Sequence, residues 1–158
     1  MKELTLVIPA KDEAECLPRV LDELKNFDCK KIIIIPETDL NTQNAVKNFD
    51  CKIITQKAGG FGGALIQGIK EVETNFLCIF NADGSFDPQY LKNMYNELLN
   101  NCDFVFSSRY ENSGGSDDDT FLTLVGNRIF TFICNLLFGL NISDVLFTYV
   151  MGKTLAFK

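Results

Sequence analysis

The chain has 158 residues, 46% of them apolar and 23% charged, with 15 Lys+Arg against 21 Asp+Glu for a net charge of −6. This suits one globular domain with a packed core, excludes a disordered or fibrous chain, and lacks the basic balance of a nucleic-acid binder. Histidine is absent, which removes imidazole bases, His-based triads and His-ligated zinc; six scattered cysteines without a CxxC pair read as reduced thiols of a cytoplasmic protein.

In chain order, Leu4 to Ile8 is a strand run that follows Met1-Lys2-Glu3 directly, too short an apolar run for a signal peptide. Leu17, Val20, Leu21, Leu24 and Phe27 recur at helical spacing, and the comfort of Pro18 in a first turn places the helix start near Cys16. Ile32 to Ile35 predict a strand buried on both faces, as in a parallel sheet. A short helix over 41–49, a strand over 52–55, a helix from Ala64 to Val72 and a strand over 76–80 follow. Asp87-Pro88 predicts the start of the next helix, with Asp87 as N-cap. Phe104 to Phe106 is a strand, Glu111 to Asp119 a polar loop, Phe121 to Phe138 an apolar helix interrupted by Gly126-Asn127-Arg128, and Ile142 to Val150 a last strand. Residues 153–158 show no closing helix, and the chain reads as the front part of a longer protein. The alternation predicts one α/β domain with a mostly parallel sheet, whose ligands bind at the carboxyl ends of the strands.

Four loops there carry candidate chemistry. In Asn81-Ala82-Asp83-Gly84-Ser85, side chains two apart on extended backbone share a face, so Asn81, Asp83 and Ser85 can offer oxygens to one Mg²⁺ or Mn²⁺; the same residues also suit a capped turn. Four glycines in Gln56 to Gly63 suit either a flexible turn or a close approach of phosphate or ribose to free helix-start amides. No GK[ST] follows, and the first strand–helix turn carries no glycine, so neither a P-loop nor a dinucleotide fingerprint is present. The acids of Pro9 to Glu13 suit either nucleobase contacts or a solvated loop. Arg109 and Arg128 offer planar forks for phosphate; the plainer reading pairs Arg128 with one of Asp117–Asp119.

Taken together, LTLVIPAKDEAECLPRVLDEL, KAGGFGGALIQGI, FNADGSFDP, FVFSSRY and NISD resemble family 2 glycosyltransferases of the GT-A fold, nearest in pattern to dolichol- or polyprenyl-phosphate sugar synthases. The resemblance runs over nearly the whole chain. It implies a Rossmann-like nucleotide-binding domain spanning 1–158 and a nucleoside-diphosphate sugar donor. By position, Pro9, Ala10, Glu13 and Glu37 match base and ribose contacts, and Lys57, Gly62 and Gly63 match the turn near the nucleotide. Asp83 with Asn81 and Ser85 matches the metal and diphosphate site. Arg109 and Arg128 match basic residues near a phosphate, and Asp144 an acid near the acceptor, the candidate base if the acceptor is a hydroxyl. Asn81 replaces the first acid of the usual DxD, Pro36 replaces one acid after the second strand, and Val150 stands where the lipid-phosphate synthases carry Arg. The implied reaction is a metal-assisted inverting displacement onto an acceptor such as a polyprenyl phosphate, at the cytoplasmic face of a membrane; the apolar residues 120–140 suit either an interfacial helix near such an acceptor or a core helix covered by a further C-terminal part. The alternative is a catalytically degenerate domain that binds a sugar nucleotide or a protein partner.

Overall fold

The computed structural model describes residues 1–57, 59–110 and 121–158, with Phe121 described by its backbone alone; the polar loop read at Glu111 to Asp119 lies outside the described residues. Six strands form one sheet: β1 (Leu4–Pro9), β2 (Lys30–Pro36), β3 (Lys52–Gln56), β4 (Phe76–Ile79), β5 (Phe104–Phe106) and β6 (Val150–Lys153), in the order β3-β2-β1-β4-β6-β5. Pairing is parallel except for β6, which runs antiparallel to both β4 and β5. The helices are α1 (Leu17–Glu23), α2 (Leu40–Val46), α3 (Gly60–Lys70), α4 (Tyr90–Leu99), α5 (Phe121–Phe138) and α6 (Thr154–Phe157).

Alternate residues of the strands feed two cores. Leu4, Leu6, Ile8, Ile33, Ile35 and Cys78 face α1 and α4, meeting Leu17, Val20, Leu21, Leu91, Met94 and Leu98. Val7, Ile32, Ile34, Leu77 and Ile79 face α3 through Ala64. The run Ile32 to Ile35 is therefore buried on both sides, as its unbroken apolarity requires, each side chain contributing on the order of 1.5–3 kcal/mol. The order in which strands are added reverses between the parallel neighbours β1 and β4, and it is outside the carboxyl ends of strands at such a switch point that an open α/β sheet leaves a crevice.

Four expectations are corrected. The last strand is Val150–Lys153, not 142–150. Upstream of it, side chains replace the ladder as partners: Asn135 bonds both the Ile142 amide and carbonyl, and Thr131 Oγ1 accepts from the Val145 amide. The helix after Asp87 begins at Tyr90, because Asp87 first closes a turn by accepting the Gln89 amide on its side chain and the Tyr90 amide on its carbonyl. The second helix ends at Val46, where a turn brings the Phe49 amide back to the Val46 carbonyl. Residues 154–157 do form a short helix, held by Phe157 edge-on to Phe104 at 4.9 Å. All six cysteines are free thiols, as expected.

Helix α3 lies so close to the sheet that a Cβ on Gly68 would sit 2.5 Å from Val7 Cγ1 and 2.6 Å from Ile34 Cδ1. Alanine would gain up to about 1 kcal/mol of helix propensity but overpack two fully buried side chains, which costs about 1–3 kcal/mol. Gly68→Ala is expected to lower stability by about 1 kcal/mol in urea unfolding; a stabilised variant would show that α3 moves freely on the sheet.

Candidate functional site

A cleft of about 390 Å³ opens at the carboxyl ends of the strands, lined by Pro9, Ala10, Lys11, Glu13, Gln56, Gly60, Phe61, Ala64, Asn81, Ala82, Asp83 and Thr148. That volume suits a small-molecule ligand. Three loops build it.

The loop after β1 is tied to the start of α2. The Ala10 amide donates to the Ile34 carbonyl at 2.9 Å, the Asp12 amide to Asp39 Oδ2 at 2.7 Å, and the Glu13 amide to Thr42 Oγ1 at 2.9 Å. Asp39 also caps α2 through the Thr42 amide. Asp12 adopts a left-handed φ of 60°, which its short polar side chain tolerates and which turns Glu13 toward the cleft. Burial raises the Asp39 carboxyl, but the hydrogen bonds from Asp12 and Thr42 outweigh it and hold the group below its ordinary 3.8. Glu13 shifts the other way. Burial first, then the charges of Asp83, Asp12 and Asp39, push it above its ordinary 4.5.

The loop after β3 is held by Gln67, which accepts the Lys57 amide and donates to the Thr55 carbonyl, both at 2.8 Å. Gln56 Nε2 donates to the Gly60 carbonyl, and Gly60 sits at φ 80°, a backbone only glycine adopts without strain.

The loop after β4 departs from the extended geometry expected of it. Gly84, at φ 85°, turns the chain, so Asn81, Asp83 and Ser85 are gathered by a bend and not by alternation. Asp83 Oδ1 accepts the Ser85 amide at 2.9 Å, and Asn81 Nδ2 donates to Ser85 Oγ at 3.0 Å. Beneath the bend, Phe86 stacks on Tyr149 at 4.5 Å, and Tyr149 Oη donates to the Asp87 carbonyl. Burial pushes the Tyr149 phenol well up, so it stays a donor.

Pro9, Ala10, Glu13, Asn81 and Asp83 thus share one cleft, with Gly62 and Gly63 on the first turn of α3 beside it. Glu37, Lys57 and Ser85 are exposed and do not line it. Arg109 and Asp144 meet each other instead. Nε and one terminal nitrogen of Arg109 donate to the two oxygens of Asp144, which is 2% exposed, at 2.8 and 3.0 Å. The guanidinium also lies 5.3 Å from the Tyr110 and Phe147 rings. Arg128 is exposed on α5, and the acids expected beside it, Asp117–Asp119, lie outside the described residues. Lys11, Gln56, Phe61, Thr148, Asp39 and Gln67 are additions. Asp39 had a readable signal, a carboxylate just before a helix; Thr148, within the segment read as a strand, had none.

Among the described residues no three acidic or cysteine side chains converge on a metal site. Two carboxylates, Glu13 and Asp83, line the cleft together with Asn81, whose Nδ2 is used on Ser85 and whose Oδ1 can still serve as a ligand. That donor set fits a hard cation whose shell is completed by phosphate oxygens and water, and the raised Glu13 marks negative charge that such an ion would offset.

The model of the family described as "Glycosyl transferase family 2" matches residues 5–158. A UDP-N-acetylglucosamine–dolichyl-phosphate N-acetylglucosaminyltransferase of Methanococcus voltae is 27% identical over 90% of this chain and 66% of its own. Among solved structures, glucosyl-3-phosphoglycerate synthase from Mycobacterium tuberculosis with Mn²⁺, UDP and glucosyl-3-phosphoglycerate superposes at TM-score 0.74 with 13% identity, over 96% of this chain and 56% of that one. Mannosyl-3-phosphoglycerate synthase from Rubrobacter xylanophilus gives 0.74 with 16% identity, over 98% and 54%. The shared architecture is the GT-A glycosyltransferase fold, and the chain spans half to two thirds of these relatives.

Asp39→Ala removes a cap and the anchor of the Asp12 amide, and is expected to lower stability by about 1–2 kcal/mol near neutral pH. Because the folded carboxyl lies below its ordinary value, its contribution is complete above about pH 4 and fades as pH falls through the folded value. Chemical unfolding of both proteins between pH 2 and 7 should show the two curves converging in acid; a constant gap would remove the charge from the explanation.

Proposed function

The chain belongs to glycosyl transferase family 2, and from that premise we propose that its cleft binds a nucleoside-diphosphate sugar and transfers the sugar with inversion. The observation that carries the reading is the meeting of Asp83 and Asn81 with the Pro9 to Glu13 loop in one cleft at the switch point. The acceptor's nucleophilic oxygen forms a bond to the anomeric carbon as the carbon–oxygen bond to the diphosphate breaks, and the electron pair leaves on the diphosphate. Asp83 and Asn81 would hold a divalent ion such as Mg²⁺ or Mn²⁺, which would supply Lewis-acid neutralisation of that leaving group. The related synthase is known with Mn²⁺ or with Mg²⁺ alongside UDP, which supports divalent-ion use without choosing between them. Pro9, Ala10 and Glu13 form the nucleoside wall, and Gly62 and Gly63 leave the start of α3 bare for close approach.

The acceptor assigned here is a lipid-linked phosphate. The Methanococcus relative names a dolichyl phosphate, and a phosphate is already anionic, so no base is required. Asp144, buried and bonded twice by Arg109, is better suited to hold that guanidinium than to take a proton. We assign Arg109, with Arg128, to the acceptor's phosphate. Membrane contact through α5 belongs to the same reading. The helix turns Asn127, Thr131 and Asn135 toward the protein and exposes Leu122, Phe132, Leu136 and Phe138. No helix among the described residues is long and apolar enough to cross a membrane, so this contact would be interfacial.

Asp83→Ala should abolish Mn²⁺-dependent binding of nucleoside diphosphate in calorimetry, and Asn81→Asp should tighten it severalfold. Nucleotide binding that ignores both the ion and Asp83 would favour a degenerate binding module. For α5, Phe132→Glu with Leu136→Glu is expected to weaken flotation with phosphatidylcholine vesicles by about tenfold or more; equal flotation would remove α5 from the membrane contact.

A further inference from the structure

The inner stripe of α3 runs Phe61, Ala64, Gly68, at spacings of three and four. Ala64 and Gly68 are buried on the sheet, and Gly68 touches Val7 and Ile34. Phe61 has the helical phase of a core residue, yet it is 52% exposed, because the stripe runs past the carboxyl edge of the sheet into the cleft. Among the described residues it is the aromatic side chain of the lining, and Pro9 and Ala10 line the same cleft. Gly59, Gly60 and Gly62 around it would each meet nothing within 4 Å if given a Cβ, so no packing in the fold demands this bare backbone.

The cleft is also polarised along its length. Asn81 and Asp83 stand at the end of β4, whereas Gln56 and Phe61 stand toward β3, three strand spacings away, about 14 Å. A nucleotide whose diphosphate lies at Asp83 and whose base extends along the cleft past Pro9 and Ala10 reaches Phe61.

We propose that Phe61 is the stacking platform for the nucleobase of the donor, a role that rests on the donor-binding reading above. An exposed aromatic face beside bare backbone accepts any flat base, so it would contribute affinity, leaving base identity to the polar groups at the rim.

The test is calorimetry of this chain with UDP and with GDP in the presence of Mn²⁺, and with Mn²⁺–pyrophosphate, for the unaltered protein, Phe61→Ala and Phe61→Trp. Alanine is expected to weaken both nucleotides about tenfold or more while pyrophosphate stays within twofold, and tryptophan to bind within about threefold of the unaltered protein. Nucleotide affinity unchanged by alanine overturns the stacking role alone, as does an equal loss for pyrophosphate, which would mark a merely structural effect on α3. Failure of the unaltered protein to bind either nucleotide overturns the donor-binding reading and this one with it.

Discussion

The amides of Asp12 and Thr42 converge on one carboxylate, Asp39, which is 8% exposed. Its negative charge is held chiefly by hydrogen bonds from Asp12 and Thr42, with a smaller contribution from the Lys11 charge. The consequence is spatial. The loop after β1 cannot move without unfastening α2, so the wall formed by Pro9, Ala10 and Glu13 is fixed before any ligand arrives. A preformed wall reduces the ordering cost of binding. It also keeps Glu13 where burial first, and then the charges of Asp83, Asp12 and Asp39, raise its carboxyl.

The opposite wall is fixed by other means. Phe80, Phe86, Phe147 and Tyr149 form one aromatic cluster beneath the bend that carries Asp83, and Arg109 lies over Phe147 while gripping Asp144. A buried ion pair is weak evidence for stability, because desolvation offsets much of the attraction. Two hydrogen bonds and two rings do confine the guanidinium to one orientation. The chain therefore couples the bend that carries Asp83, through Phe86 and Phe147, to the Arg109 guanidinium.

The parallel sheet was readable from Ile32 to Ile35 because burial on both faces removes polar alternation, and the loops at strand ends followed from that. Asp83 and Asn81 were readable as a pair, but by the wrong geometry: the bend depends on Gly84 and on the Ser85 amide finding Asp83, which periodicity does not encode. The antiparallel strand was misplaced by several residues. Its preceding segment is as apolar as a strand, yet its backbone groups are claimed by Asn135 and Thr131 of the helix just before it. Asp144 was read as an acid near the acceptor, and nothing local announces Arg109, 35 residues earlier, as its partner. Long-range pairing of side chains was the layer hidden from a single sequence.

Helix α5 shows the same limit in its sharpest form. Its length and bounds were legible, because apolar content alone specifies a helix there. Its orientation was not. An apolar helix in an ordinary domain turns its large side chains to the core, but here the inward stripe is Asn127, Thr131 and Asn135, four residues apart, each bonded to the body of the protein. Leu122 at 80% and Leu136 at 72% exposure are left outward. Four directional bonds from these three side chains hold the polar side inward, and rolling the helix over would break all of them. The solvent-facing apolar surface is thus a fixed property of the fold, larger than scattered surface residues account for, and such a surface marks a site of association. A helix locked in this sense, with Asn127 bonded to Tyr110 next to Arg109, brings apolar surface and a guanidinium into one region of the fold, the pairing of features that the proposed lipid-phosphate acceptor would need.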